Sequence, residues 1–454
     1  MTTAPPKNST WDLGKRLPPI GLMYVAAALE KAGFEVQILD NYLMKKTTNE
    51  IKQIITKLNP QIAGITCGSA TYIGCIETAK AIKEILPNCR VVVGGWHASY
   101  VPDSLLVNPE IDYVVIGEGE RAMTQLATCI TNNNESLAAT IPGVAFRHQG
   151  KNIINPPKFI ENLDEIPYPA RHLLPLELYD RKIEFLKAKP ADVMSISRGC
   201  VFNCFFCEFR KLWGNSCRAF SPQRVIDEIQ DLMNNYGTKG IYFINDNFTL
   251  RKRETIELCN LMIKNKLDLE WVCDTRVDLV NQDLLEVMSK AGCKTIWFGV
   301  ESGSQKILQQ IGRTITLEQT ETAFKLCKRN GIKVACSFML GLPGETIKDM
   351  EMSLKFAKKL DPDWCQFNIF ITCPDSKFYR ELLESKKYVR LDEFLISSEN
   401  EEFDYNSLVA IQKRFFKEFH RAPRQIVKRV RREGAINFVK RRLKPRVQES
   451  AGIA

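Results

Sequence analysis

The sequence predicts an α/β chain. It begins with a doubly wound, Rossmann-like domain, continues through a partial (β/α)6 barrel and closes with a helical, basic tail. Three observations carry this. Strand-length apolar runs alternate with amphipathic helix-length runs between residues 18 and 135, and again between 191 and 375. Such alternation implies parallel sheets with helices on their faces. Glycine and small residues follow several of the strands, where open parallel sheets and barrels bind their ligands. Between the two series, residues 136–190 carry Pro142, Pro156, Pro157, Pro167 and Pro169 and few apolar runs, which reads as a linker.

The elements follow in order. Residues 1–19 are polar and proline-rich and show no strand pattern. Pro18-Pro19 opens an Ala/Leu-rich helix that Gly33 closes. Glu35–Asp40 reads as a strand, Thr48–Leu58 as a helix and Gln61–Thr66 as a strand. Helix Tyr72–Leu86, strands Arg90–Val93 and Tyr113–Ile116, and helix Glu120–Cys129 complete the first domain, residues 1–135. Its strand ends are Gly68-Ser69-Ala70-Thr71, Gly94-Gly95-Trp96-His97-Ala98 and Gly117-Glu118-Gly119-Glu120. A doubly wound domain normally opens with an apolar strand before the first helix. Met1 to Pro6 reads as the tail end of that strand, so a first central strand is expected to be missing.

The second series, residues 191–375, runs strand Val193–Ser197, helix Pro222–Tyr236, strand Gly240–Asn245, helix Arg253–Lys264 and strand Glu270–Asp274. Helix Asp283–Ala291, strand Thr295–Val300, helix Leu317–Asn330, strand Lys333–Met339, helix Ile347–Leu360 and strand Trp364–Ile369 complete it. Six strands are too few for a closed eight-unit barrel of ~250 residues. Residues 376–454 form the helical C-terminal region.

Composition bounds the class. The 454 residues are 44% hydrophobic and 26% charged, as in globular proteins. No apolar signal segment opens the chain, and no run approaches the roughly 18 apolar residues of a spanning helix, so a cytoplasmic, thiol-reducing setting is expected. Charge is uneven. Lys413 to Arg446 holds fourteen Lys/Arg and two Asp/Glu, a net of +12, against +10 for the whole chain. Apolar residues in that tail, Leu408, Ile411, Phe415, Phe416 and Phe419 among them, recur every three or four positions between basic ones. This pattern suits either a helical cap on the barrel or peripheral contact with an anionic membrane surface. No RNA-binding motif is present, and nucleic acid is not an expected partner.

The chemistry concentrates in Ser197-Arg198-Gly199-Cys200-Val201-Phe202-Asn203-Cys204-Phe205-Phe206-Cys207. The C-x3-C-x2-C spacing supplies three thiolates, enough for three irons of a cubane cluster, and leaves the fourth iron open. A zinc site would ordinarily add a second ligand pair, and neither a second C-x2-C nor a nearby histidine exists. Cys217 remains a candidate fourth ligand, which would close the site, and a metal-free thiol group is a further alternative. Cys259, Cys293, Cys327 and Cys336 sit in apolar contexts and read as buried small hydrophobes.

C-x3-C-x-aromatic-C, ending Phe206-Cys207, resembles the signature of the radical SAM enzymes. The resemblance implies a 4Fe-4S cluster on Cys200, Cys204 and Cys207 and S-adenosylmethionine (SAM) on the open iron. It also implies reductive cleavage of SAM to a deoxyadenosyl radical, with electrons from an external donor such as flavodoxin or ferredoxin. It places Phe206, Asn245, Asp246, Glu301, Ser302, Gly341 and Pro343 around SAM, with Arg276 a candidate partner of a carboxylate. The loops of the first domain resemble the cobalamin-binding domain that many of these enzymes carry. This implies cobalamin near Gly68, Ser69, Thr71, Gly94, Gly95, His97, Gly117, Glu118 and Gly119. The D-x-H-x-x-G motif of other cobalamin domains is absent, so His97 is not read as a cobalt ligand. The same layout is found in cobalamin-dependent radical SAM methyltransferases and in the anaerobic magnesium-protoporphyrin monomethyl ester cyclase. Methylation of an unactivated carbon is the implied reaction, with cyclisation or rearrangement as alternatives.

Two further alternatives stand beside it. A tRNA methylthiotransferase would need a second cluster, for which Cys67, Cys75 and Cys89 are the candidates. A cluster-bearing scaffold or electron carrier would need no substrate. The expected substrate is a small or lipid-like molecule, with Trp213, Cys365, Phe367 and Thr372-Cys373-Pro374 as candidate contacts.

Overall fold

The computed structural model describes residues 1–3, 17–207, 209–245, 247–372, 374 and 376–433. The chain divides into two compact units. One is built from Met1–Lys182, Pro190–Val201 and Glu208–Thr238, the other from Ile183–Lys189, Phe202–Cys207 and the chain from Lys239 onward.

The first unit holds a five-stranded sheet in the order β1 (Ile62–Thr66), β2 (Arg90–Gly94), β3 (Tyr113–Val115), β4 (Val144–His148) and β5 (Lys151–Ile154). β1, β2 and β3 are parallel. β4 and β5 are antiparallel, so part of the stretch read as linker extends the sheet as a hairpin. The turn Gln149-Gly150 lets it reverse, with both residues at positive φ. Helices Ile20–Lys31 and Gly119–Thr131 pack together, as do Thr48–Leu58 and Tyr72–Ile85. Met123, Leu126 and Ile130 of the helix after β3 form a core with Val92, Tyr113, Val115 and Val144 of the sheet. Thr47 starts one of these helices with a reciprocal capping box to Glu50.

Among the described residues Glu35–Asp40 does not form the expected strand, and only Asp40 makes a bridge, to Thr2. Thr2 N donates to Leu39 O at 3.0 Å and Thr66 N donates to Met1 O at 2.9 Å. Residues 1–3 thus lie between Asp40 and β1, and a strand needs a partner along its length to count as one.

Of the six barrel strands expected, the first unit carries β6 (Ala191–Met194). It also carries a two-residue ribbon, β7 (Ser197–Arg198) antiparallel to β8 (Arg218–Ala219). The second unit carries the other five barrel strands, β9 (Gly240–Phe243), β10 (Glu270–Thr275), β11 (Cys293–Glu301), β12 (Lys333–Leu340) and β13 (Trp364–Ile369), adjacent in that order and all parallel. Phe243, Trp271, Phe298, Phe338 and Phe367 are fully buried on these strands.

Helix Tyr405–His420 caps β13. Leu408, Phe415 and Phe419 are buried, Gln412 Nε2 donates to Phe367 O at 2.8 Å, and His420 Nε2 lies 2.7 Å from Cys365 O. These apolar residues are therefore engaged by the barrel and do not offer a lipid-facing stripe. The basic residues beyond position 433 lie outside the described residues. Among the described residues no helix is long and apolar enough to cross a membrane.

Candidate active site

The cysteine loop grows out of the β7/β8 ribbon. Gly199 turns it at φ +92, and a Cβ there would lie 2.1 Å from Ser216 O, so only glycine fits. Cys200 is buried, and Cys217 immediately precedes β8.

Within the second unit, Cys207 N donates to Cys204 O at 3.1 Å, closing a turn, and Phe205 N donates to Ile311 O at 3.0 Å. Gly312 presses on this segment: a Cβ would lie 2.8 Å from Asn203 O and 3.2 Å from the Phe205 ring. Cys204 and Cys207 are part-exposed. Arg276 Nη1 lies 3.9 Å from Cys204 Sγ. Asp278 holds that guanidinium at 2.9 and 2.8 Å, and it rests on the Phe202 ring at 3.6 Å. Arg276, expected to meet a free carboxylate, is therefore already paired and faces a cysteine. Among the described residues no three His, Cys, Asp or Glu side chains are drawn together as a ready metal cage. What fits a cluster is the donor set, soft sulfur donors with a guanidinium beside one of them.

Several residues expected near SAM do converge. Glu301 sits at φ +68, beside a register shift between β11 and β12. A non-glycine residue in that region is strained and must be held by its neighbours. Arg313 Nη2 donates to Glu301 Oε1 at 2.7 Å and to Gly299 O at 3.0 Å. The Arg313 guanidinium lies 5.8 Å from the Phe206 ring, and its buried Nε has no protein acceptor. The sequence reading does not single out Arg313. Its place directly after Gly312, in the turn that follows helix Gln305–Gln310, is the available signal.

Ser302 is fully buried and its hydroxyl accepts from Ser304 N at 3.1 Å, so it shapes the turn. Pro343 O accepts from Gln310 Nε2 at 2.6 Å. Asn245 is buried just past the end of β9, and Asp246 lies outside the described residues.

Gly341, at φ +79, and Leu342 donate their N–H groups to Glu345 Oε2 at 2.8 and 3.0 Å. Burial pushes Glu345 up to about 8, against the pull of those two donors. From about pH 4.5 upward the unfolded chain loses this proton while the folded chain keeps it, so stability falls as pH rises toward 8. Glu345→Gln should remove that slope. We expect the variant to match the wild type near pH 5 and to exceed it above pH 8 by on the order of 3 kcal/mol, read from urea unfolding at both pH values.

The candidate substrate contacts divide. Cys365 and Phe367 are buried: Cys365 beside Cys336, with its thiol pushed well up by burial, and Phe367 stacked on Phe338. Both pack the barrel. Thr372 Oγ1 lies 2.5 Å from Ser376 Oγ, and Cys373 is outside the described residues. Tyr242 and Asp274, on adjacent strands, escape the sequence reading. Tyr242 Oη donates to Asp274 Oδ2 at 2.5 Å, and burial pushes the Asp274 carboxyl up to about 7. An acidic residue inside the apolar strand Glu270–Thr275 is the signal for it.

In the first unit the loops expected to meet cobalamin lie at the C-terminal ends of β1, β2 and β3. Gly68 N donates to Thr71 Oγ1 at 3.0 Å, Ser69 Oγ lies 3.0 Å from His97 Nδ1, and His97 Nε2 lies 2.8 Å from Ser104 Oγ. Both ring nitrogens are thus engaged by serines. Burial lowers His97 to about 4, and both its ring nitrogens are paired within the protein. Gly94 passes Val115 O at 3.7 Å from where its Cβ would be. Gly95, at φ +102, would put a Cβ 2.7 Å from Cys67 O, and Gly119 would put one 2.9 Å from Val25. These last two glycines are required by close packing, whatever else they face. Trp96 is 58% exposed and meets Phe209 edge-on at 6.2 Å. An aromatic pair open to solvent beside these loops suits a large flat ligand.

Glu118 is fully engaged by protein. Arg198 Nη1 donates to its Oε1 at 3.0 Å, Arg218 Nη1 to both oxygens at 2.9 Å, and Ile160 N to Oε2 at 2.6 Å. Glu120 Oε1 accepts from Arg198 Nη2 at 2.5 Å. The Arg198 guanidinium lies 5.2 Å from the rings of both Tyr24 and Trp213. Trp213 is accordingly part of this arrangement. Glu118, expected to border a cofactor, joins Glu120 in holding the root of the cysteine loop.

Comparison with known proteins places this geometry. Residues 194–357 match the family described as the Radical SAM superfamily, and residues 12–127 match the B12 binding domain. An uncharacterized methyltransferase of Pyrococcus horikoshii is 35% identical over 404 residues, spanning 86% of this chain and 86% of its own length. The anaerobic magnesium-protoporphyrin IX monomethyl ester cyclase of Rubrivivax gelatinosus is 30% identical over 82% of this chain and 67% of its own. The solved radical S-adenosylmethionine methyltransferase TsrM from Kitasatospora setae, with tryptophan and a SAM analog bound, shares the fold at TM-score 0.77. It is 19% identical, over 89% of this chain and 87% of that one.

Proposed function

The chain belongs to the radical SAM superfamily, in the branch that carries a B12-binding domain, and from that premise we propose that it transfers a methyl group to an unactivated carbon of a small molecule. The observation that carries the reading is the cysteine loop, with Gly312 packed against it and Arg276 beside Cys204, on a chain whose other domain matches a B12-binding family. Cys200, Cys204 and Cys207 would hold the 4Fe-4S cluster, and the loops Gly68–Thr71 and Gly94–His97, with the glycines Gly117 and Gly119, would border cobalamin. When bound, cluster and SAM supply a deoxyadenosyl radical that abstracts hydrogen, and cobalamin supplies the methyl group.

The chain's own residues bind, orient and shield. Arg276 places positive charge against Cys204, and Arg313 fixes the strained Glu301 with Phe206 near its guanidinium. Buried Ser302 and Glu345 shape the two turns after β11 and β12. Tyr242 and Asp274, on the adjacent strands β9 and β10, give this part of the barrel hydrogen-bonding groups. They favour a substrate with polar groups over a bare hydrocarbon. Electrons would come from an external donor such as flavodoxin or ferredoxin.

A second reading, radical cyclisation, is favoured by the 30% identity to the magnesium-protoporphyrin cyclase. Methylthiotransfer is disfavoured on geometry: β1 and β2 are parallel, Cys67 follows the end of β1 and Cys89 precedes the start of β2, so these two candidates for a second cluster lie at opposite ends of the pair. Mass spectrometry of anaerobic, reduced reactions tests the reading. Methylation predicts deoxyadenosine together with S-adenosylhomocysteine. Deoxyadenosine alone would replace methylation with cyclisation or rearrangement.

A further inference from the structure

We propose that Glu118 is a positioning residue for the cysteine loop, a carboxylate of the B12-binding domain that clamps Arg198 and Arg218 at the loop's root. The proposal rests on the reading of Cys200, Cys204 and Cys207 as cluster ligands. Arg198 lies shortly before Cys200, and Arg218 directly follows Cys217. The two arginines pair with each other on the antiparallel strands β7 and β8, so one carboxylate ties both strands of the ribbon.

Three features argue for the clamp. First, the grip is complete: Arg218 also donates to Ile160 O at 2.5 Å and Trp213 O at 2.9 Å, and lies 5.2 Å from the Phe159 ring. Second, the group is desolvated, with Glu118, Glu120 and Arg198 all buried. Two carboxylates there balance two guanidiniums, and removing one charge strands another in a medium that solvates it poorly. Third, Glu118 cannot drift. Gly117 on one side is at φ +74 with Pro157 3.3 Å from where its Cβ would be, and Gly119 on the other would put a Cβ 2.9 Å from Val25. The turn that closes β3 in the B12-binding domain is thereby fastened to the residues that lead into Cys200.

The test uses the full chain, reconstituted anaerobically with iron and sulfide and separately loaded with hydroxocobalamin. Glu118→Gln keeps the size of the side chain and removes its charge. We expect its iron content to fall about threefold to tenfold, and the EPR signal of the residual reduced cluster to shift and to lose its response to SAM. Cobalt uptake should match the wild type. Glu118→Gln combined with Arg218→Gln removes both partners, and should recover much of the lost iron, because a pair deleted together leaves no stranded charge.

Three results would overturn the proposal. One is lost cobalt uptake with an unchanged cluster signal, which would make Glu118 a cobalamin contact. Another is a lowered melting temperature with an unchanged EPR signal and SAM response. The third is a double variant no better than the single one. A wild-type chain that assembles no cluster would fail the underlying family reading, and this proposal with it.

Discussion

Replacing Cys204 with alanine is expected to abolish the iron–sulfur absorbance of the reconstituted protein and bring deoxyadenosine formation down to the buffer baseline. Cys200→Ala and Cys207→Ala should do the same. Iron should drop from ~4 per chain to a small residue of adventitious metal. The effect is large because three thiolates are the minimum that hold a cubane with one open iron. Loss of a sulfur ligand is not made good by a neighbour: Arg276, beside Cys204, is a cation and cannot ligate. Cys217 is the one alternative sulfur in the adjoining sequence, and a Cys217→Ala variant with full cluster content would dismiss it. Normal iron and absorbance in all three cysteine variants would refute the assignment.

Gly199→Ala is the second large expectation. Its backbone is at φ +92, and the added Cβ would fall 2.1 Å from Ser216 O, inside any tolerable approach. Neither atom is the free end of a side chain, so relief requires moving the backbone that leads into Cys200. We expect a cost of about 3 kcal/mol or more, from steric overlap together with the positive φ, and loss of most cluster assembly. Gly237→Ala is the control. It also sits at positive φ, +63, but a Cβ there meets nothing within 4 Å. It should cost only about 1 kcal/mol and leave iron content unchanged. Equal cluster content in the two variants, measured as iron and absorbance per chain, would show that the close approach at Gly199 does not govern the loop.

Much of this architecture is legible in the sequence because it is local. Strand and helix runs depend on periodicity within a few residues, and the series from Gly240 to Ile369 appears in the structure as five parallel strands with helices between them. Glu35–Asp40 has a strand's composition, but pairing depends on a partner, and among the described residues only Thr2 supplies one. The hairpin Val144–Ile154 hides among prolines because its partner, β3, lies well upstream. The tail shows its helical period, yet that period cannot say whether Leu408, Phe415 and Phe419 meet a barrel or a membrane.

The chemistry can be read from the chain before it folds: three cysteines at a set spacing with an aromatic residue before the last, and two families matched by their own stretches of sequence. Covalent spacing limits how many sulfurs can reach one cluster, and spacing is written in the chain. Where the charges went became visible only once the chain was folded. Arg276 turns to Cys204, Arg313 to Glu301, and Glu118 to two arginines far from it in sequence. Buried charges must find opposite partners wherever the fold brings them, and no local pattern records which partner that will be.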